Sequence, residues 1–119
     1  MKRRMQELER QIAKVKEELM ELAELRPGSI SLQYNVCGSP NCRCKASPQQ
    51  RHGPYYQLNY TRKGKGGTRF VKREEVKLVQ RQIDSYGRLR ALLDRWIDLG
   101  TELADLNLAE HRESLKRDS

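Results

Sequence analysis

At 119 residues, with 36% hydrophobic and 34% charged, the chain has room for one domain with a thin core, and a thin core needs a metal staple, helix pairing or oligomerisation. No run of 18 apolar residues is present, so a membrane-spanning helix is excluded. The net charge of +8 is uneven: residues 25–73 hold ten Lys and Arg and no Asp or Glu, while the flanks net to a small negative charge.

The first segment, residues 1–26, places Met5, Leu8, Ile12, Val15, Leu19 and Leu22 at alternating steps of three and four. That is the seam of a coiled coil, with Glu, Lys and Arg on the other faces. Met1 leads straight into this charged helical pattern with no signal-peptide stretch, so a cytoplasmic protein is expected. Arg26 precedes Pro27, which disfavours helix there, and Gly28 suits a left-handed closure; the helix should end near Leu25.

Residues 27–72 form the expected zinc loop and β-hairpin. Ile30, Leu32, Tyr34 and Val36 alternate with polar residues and read as a half-buried strand. All three cysteines then follow within eight residues, as Cys37, Cys42 and Cys44, with His52 eight positions on. Three thiolates and an imidazole are the complement of a closed tetrahedral zinc site, so Cys37, Cys42, Cys44 and His52 are expected to hold a structural Zn2+. Gly38, Ser39 and Pro40 supply the turn, and Arg43 and Lys45 favour the thiolate forms and offset the charge of the centre. The alternatives are free thiols, redox chemistry or a disulfide leaving one thiol over.

After Gly53 and Pro54 the period-two pattern returns through Tyr56, Leu58 and Tyr60, residues 62–67 read as a cationic glycine-rich turn, and a strand resumes from Thr68 to Val71. A phosphate-loop reading of Gly64-Lys65-Gly66-Gly67-Thr68 fails, because the full motif is missing and a strand follows. Tyr34, Tyr56, Tyr60 and Phe70 are expected to fill the small core, leaving Tyr55 on the opposite face to stack on a base or ribose.

The second helix, residues 73–108, opens with Glu74 and Glu75 where a helix N-terminus favours negative charge. Its seam runs through Val79, Ile83, Tyr86, Leu89, Leu92, Trp96, Leu99, Leu103 and Leu106, with Gly87 and Gly100 as candidate sites of a kink or a close helix approach. Residues 109–119 are charged and expected to fray. The fold class that follows is α+β: one domain, residues 1–119, in which two helices form an antiparallel coiled coil with the small antiparallel sheet and zinc loop inserted at one end. The second helix is the longer, so part of its stripe is left for a second copy, and a homodimer through the coiled coil is an expected partner.

At Arg26-Pro27-Gly28-Ser29, Cys37-Gly38-Ser39-Pro40-Asn41-Cys42-Arg43-Cys44, His52-Gly53-Pro54-Tyr55-Tyr56 and Phe70-Val71 the chain resembles a family of small prokaryotic proteins of unknown function, over roughly residues 27–108. The resemblance implies a fold unit and no reaction. Members look like companions of mobile elements near transposase-like genes, which makes a transposase or recombinase an implied partner.

The middle has no carboxylate for acid–base work or two-metal hydrolysis, so no enzyme activity is expected. Ten cations without an acid fit a phosphate backbone. The expected nucleic-acid contacts are Arg62, Lys63 and Lys65 at the hairpin tip, Arg69 and Lys72 on the returning strand, Arg43, Lys45 and Arg51 on the zinc loop, and Tyr55, with DNA ahead of RNA. The competing reading is a coiled-coil interaction module whose basic middle is a solvated face.

Overall fold

A computed structural model describes residues 1–35, 40–42, 45 and 52–118, with Asn35, His52 and Gly53 as backbone only. The protein is α+β, with the order α1 (Lys2–Met20), β1 (Ser29–Asn35), β2 (His52–Arg62), β3 (Lys65–Val71), a short 3-10 turn (Arg73–Glu75) and α2 (Val76–Asp118). None of its helices is long and apolar enough to cross a membrane. The chain divides into two compact units, one of residues 1–23 and 87–119 and one of residues 24–86, with α2 running through both.

In the first unit the heptad stripe of α1 does what its spacing demands. Leu8, Ile12 and Val15 are buried in one apolar cluster with Leu92 and Leu99 of α2, flanked by Leu19, Leu22, Trp96, Leu103 and Leu106. Burying each such side chain contributes about 1.5–3 kcal/mol. Three polar ties edge the cluster. Arg4 forms a two-pronged pair with Glu102 at 3.0 and 2.7 Å, Arg95 donates to Gln11 at 3.2 Å, and Arg88 pairs with Glu18 at 3.2 Å. Each step of seven along α1 is matched by a step of seven back along α2, so the two segments run antiparallel. The hydrogen bonds from Arg4 hold the Glu102 carboxyl below its ordinary range, and those from Gln11 and Arg10 do the same for Glu7. Lys16 rests its ammonium 5.2 Å from the centre of the Trp96 ring.

The helix ends differ from the sequence expectation. α1 stops at Met20 rather than near Leu25: Glu21 and Leu22 turn their N–H groups to carbonyls three residues back, tightening the last turn. Four residues on, the Arg26 N–H is taken by the Gln82 carbonyl of α2, so the chain is already committed to the approach to β1. α2 in turn continues through the stretch expected to fray, as far as Asp118, with Lys116 and Arg117 in its last turn where cations complement the helix dipole. Neither Gly87 nor Gly100 marks a close helix approach. A Cβ on Gly87 would meet nothing within 4 Å, and one on Gly100 only Trp96 of its own helix at 3.8 Å.

In the second unit the three strands form one antiparallel sheet in the order β1-β2-β3. Paired residues share a face, so the registers Ile30↔Leu58 and Leu58↔Arg69 define one side, and Ser31↔Gln57 and Gln57↔Phe70 the other. Leu58 and Val71 are the buried apolar residues of this unit among those described. Gly28 enters β1 at φ 137°, and a Cβ there would come within 2.8 Å of both the Asn59 carbonyl oxygen and a Leu58 methyl. Conformation and space both call for glycine at this point. At the far end Glu75 accepts the Lys72 N–H at 2.9 Å, capping the entry to α2.

Two aromatic expectations fail here. Phe70 is 67% exposed and Tyr34 50% exposed, so neither fills the core. Phe70 and Val71 are adjacent, and a strand sends adjacent side chains to opposite faces; pairing Val71 with Tyr56 gives Val71 the buried side and Phe70 the open one.

Candidate nucleic-acid interface

The hairpin tip is tighter than the sequence suggests. Arg62 pairs with Lys65, so the loop is only Lys63 and Gly64, and residues 65–67 are already strand. Lys63 has φ 53° and Gly64 φ 78°, the double positive of a type I′ turn, whose twist matches that of the flanking strands. Among the described residues Lys63 is the one non-glycine with positive φ. The position usually takes Asn or Asp before Gly, and here it presents an exposed cation at the apex.

Behind the tip, Gly67 pairs with Tyr60 and lies so close to its side chain that a Cβ would meet the ring and the hydroxyl oxygen at 2.6–2.8 Å. The glycine-rich run therefore lets the tyrosine lie flat across β3. Around that ring Arg26, Arg62 and Arg69 join Pro27 and Leu58 in lining a cleft of about 350 Å³. Arg62 and Arg69 arrive from successive strands through their registers with Lys65 and Leu58. Arg26 is placed by its own N–H bond to Gln82 and by the Gly28 contact. No carboxylate lines the cleft.

On the opposite face Tyr55, half-buried, meets Phe70 with ring centroids 6.1 Å apart at 57°, a tilted pair. Gln33 and Gln57 join the two rings around a shallow pocket, and Arg73 and Pro54 border a second one beside them.

Of the residues expected to contact nucleic acid, Arg62, Lys63, Lys65, Arg69 and Lys72 are exposed on or beside the hairpin, and Tyr55 sits on the open face. Lys45 is exposed, its N–H bonded to the Cys42 carbonyl at 3.0 Å. Arg43 and Arg51 lie outside the described residues. So do Cys37 and Cys44 of the expected zinc set; Cys42 is half-buried, and His52 heads β2 opposite Asn35 of β1. Among the described residues no group of three or more His, Cys, Asp and Glu is gathered. Sequence reasoning missed Arg26 and Phe70. Phe70 was legible only through the register, and Arg26 carries no local signal, because its place depends on contacts with α2 and β2.

No curated protein and no solved structure matches the chain. A family model described as a domain of unknown function (DUF6788) matches residues 5–81, from within α1 through the whole sheet into α2. With that match spanning more than half its length, the chain belongs to this uncharacterised family.

Proposed function

We propose that the protein is a small zinc-stapled nucleic-acid-binding protein, DNA ahead of RNA, that grips phosphate with its basic β-hairpin and serves as an accessory factor of a mobile element. The observation that carries the binding is the cleft that Arg26, Arg62 and Arg69 line around Tyr60 without an acid. Guanidinium groups form two parallel hydrogen bonds to phosphate, and three arginines lining one cleft without a carboxylate suit an anion. Lys63 and Lys65 extend the charge to the tip. The mobile-element setting rests on the sequence resemblance alone.

The zinc reading is supported by the pairing of Asn35 with His52, which closes the chain between them into a loop. In the sequence Cys37 comes two residues after Asn35, the residue that pairs with His52. Cys37, Cys42, Cys44 and His52 would hold the metal, which would act as a structural staple for the loop carrying Arg43, Lys45 and Arg51.

Replacing Lys63 and Lys65 together by Glu should weaken binding to all sequences alike. The wild-type affinity should fall with salt at a log–log slope near −4 to −5 on duplex DNA, for about five phosphate contacts. Binding that ignores salt would overturn the phosphate reading.

The second reading, a coiled-coil interaction or dimerisation module, also has an observation of its own. Leu93, Ile97, Leu108 and Leu115 of α2 are exposed, and on an ideal helix they fall within about 60° of arc, away from the buried Leu92 and Leu99. Such a second stripe suits a second copy of the chain. A protein that binds no nucleic acid but sediments as a dimer would favour this reading.

A further inference from the structure

We infer that the open face of the sheet binds unpaired bases, so that the nucleic acid taken by this protein is single-stranded; this rests on the nucleic-acid reading of the hairpin. The face is built in an unusual way for solvent-facing sheet. An exposed sheet surface ordinarily carries charges of both signs. Here the paired positions across the three strands are Ser31, Gln57 and Phe70 in one row and Ser29, Asn59 and Thr68 in the next, with Gln33 opposite Tyr55. Every one of these side chains is an amide, a hydroxyl or an aromatic ring, and none is charged.

Phe70 is the outlier that demands an occupant. Two-thirds of a large apolar ring faces solvent from an otherwise ordered strand, steadied on one side by Tyr55. Stacking a base on such a ring is sequence-tolerant, because every base has a π-face, and it requires the base to be out of a duplex. The amides around it suit the base edges. Asn59 donates to the Ser31 hydroxyl at 2.8 Å and Gln33 to the same oxygen at 3.1 Å, which holds the two amides in place with hydrogen-bonding capacity to spare.

Charge points to the same occupant. Lys72 and Arg73 lie two and three residues beyond Phe70, Arg73 bordering the pocket that Phe70 and Tyr55 line, and residues 25–73 hold no acid. An apolar protein partner would want the rings without the cations, and a duplex would want the cations without an exposed ring. A single strand uses both. β3 is an edge strand on which Arg69 and Phe70 point to opposite faces, so phosphates and bases of one strand reach the two sides across that edge.

The test measures binding of the full chain to short oligo-dT, oligo-U of equal length and duplex DNA, for the wild type, Phe70→Leu and Phe70→Trp. Phe70 is exposed, so both variants should melt as the wild type does. The single strands should bind more tightly than the duplex. Phe70→Leu, which keeps bulk and loses the π-face, should weaken them by roughly 5- to 150-fold while sparing the duplex, and Phe70→Trp should retain the affinity. A 2-aminopurine base in the strand should be quenched on binding by the wild type and not by Phe70→Leu. Equal binding of single strand and duplex, unaffected by Phe70→Leu, would overturn this inference and leave the phosphate-gripping hairpin standing. Binding to none of the three would overturn both. The dT and U arms show whether the strand is DNA or RNA.

Discussion

Lys63 holds a left-handed backbone conformation that most side chains avoid, at a cost of about 1–2 kcal/mol. Asn tolerates that conformation and is the residue a two-residue hairpin loop ordinarily takes. A lysine there costs stability and presents a cation at the apex, an exchange that the proposed phosphate contact would explain. Lys63→Asn should therefore raise the stability of the protein by about 1 kcal/mol in chemical denaturation. On the proposed reading it should at the same time weaken nucleic-acid binding and make the log–log salt slope shallower by one phosphate contact's worth, about 0.9 on a duplex and about 0.7 on a single strand. A variant that is both more stable and equally tight would remove Lys63 from the interface. Gly28 shows the opposite case: its φ of 137° and the 2.8 Å approach of Asn59 and Leu58 leave no side chain that fits, which accounts for the Pro27-Gly28-Ser29 signature in physical terms.

Between the elements, the heptad-spaced ties of Arg4, Gln11 and Glu18 to Glu102, Arg95 and Arg88 record the register of α1 on α2. The Arg4–Glu102 pair carries a pH signature. The hydrogen bond from Arg4 lowers the Glu102 carboxyl from its ordinary 4.5, so the folded state favours the carboxylate. A group depressed on folding stabilises the protein above its unfolded pKa and ceases to do so as the pH falls through its folded value. Glu102→Gln should accordingly melt lower than the wild type at neutral pH, by a small margin for so exposed a pair, and the two melting curves should converge as the pH is taken down below about 4.5. A difference that persists or grows in acid would assign the loss to packing instead.

For the whole molecule, the contrast between the two units matters most. The helical unit has five buried apolar side chains in one cluster, whereas Leu58 and Val71 are the buried apolar residues described in the sheet unit. Among the described residues that is a thin core for a three-stranded sheet, and the proposed zinc would supplement it as a staple. Protein purified without added metal should carry one zinc per chain. Chelation, or Cys42→Ser, should abolish amide protection in the strands while much of the helical circular dichroism remains. A metal-free sample with an unchanged thermal melt would rule the staple out.

Much of the fold was legible in local patterns. The three-and-four spacing of Leu8, Ile12 and Val15 marks a buried helical stripe, and alternation in residues 29–36, 55–61 and 68–71 marks strands, because side-chain period is a property of the backbone alone. The gathering of ten cations without an acid in residues 25–73 is likewise a fact of sequence. Only the tertiary structure decided which of two neighbours, Phe70 or Val71, turns inward, since that depends on the register of β3 against β2 and a shift of one residue exchanges the faces. It alone brought Arg26 beside Arg62 and Arg69, through a hydrogen bond to Gln82 more than fifty residues away, a separation no local pattern spans.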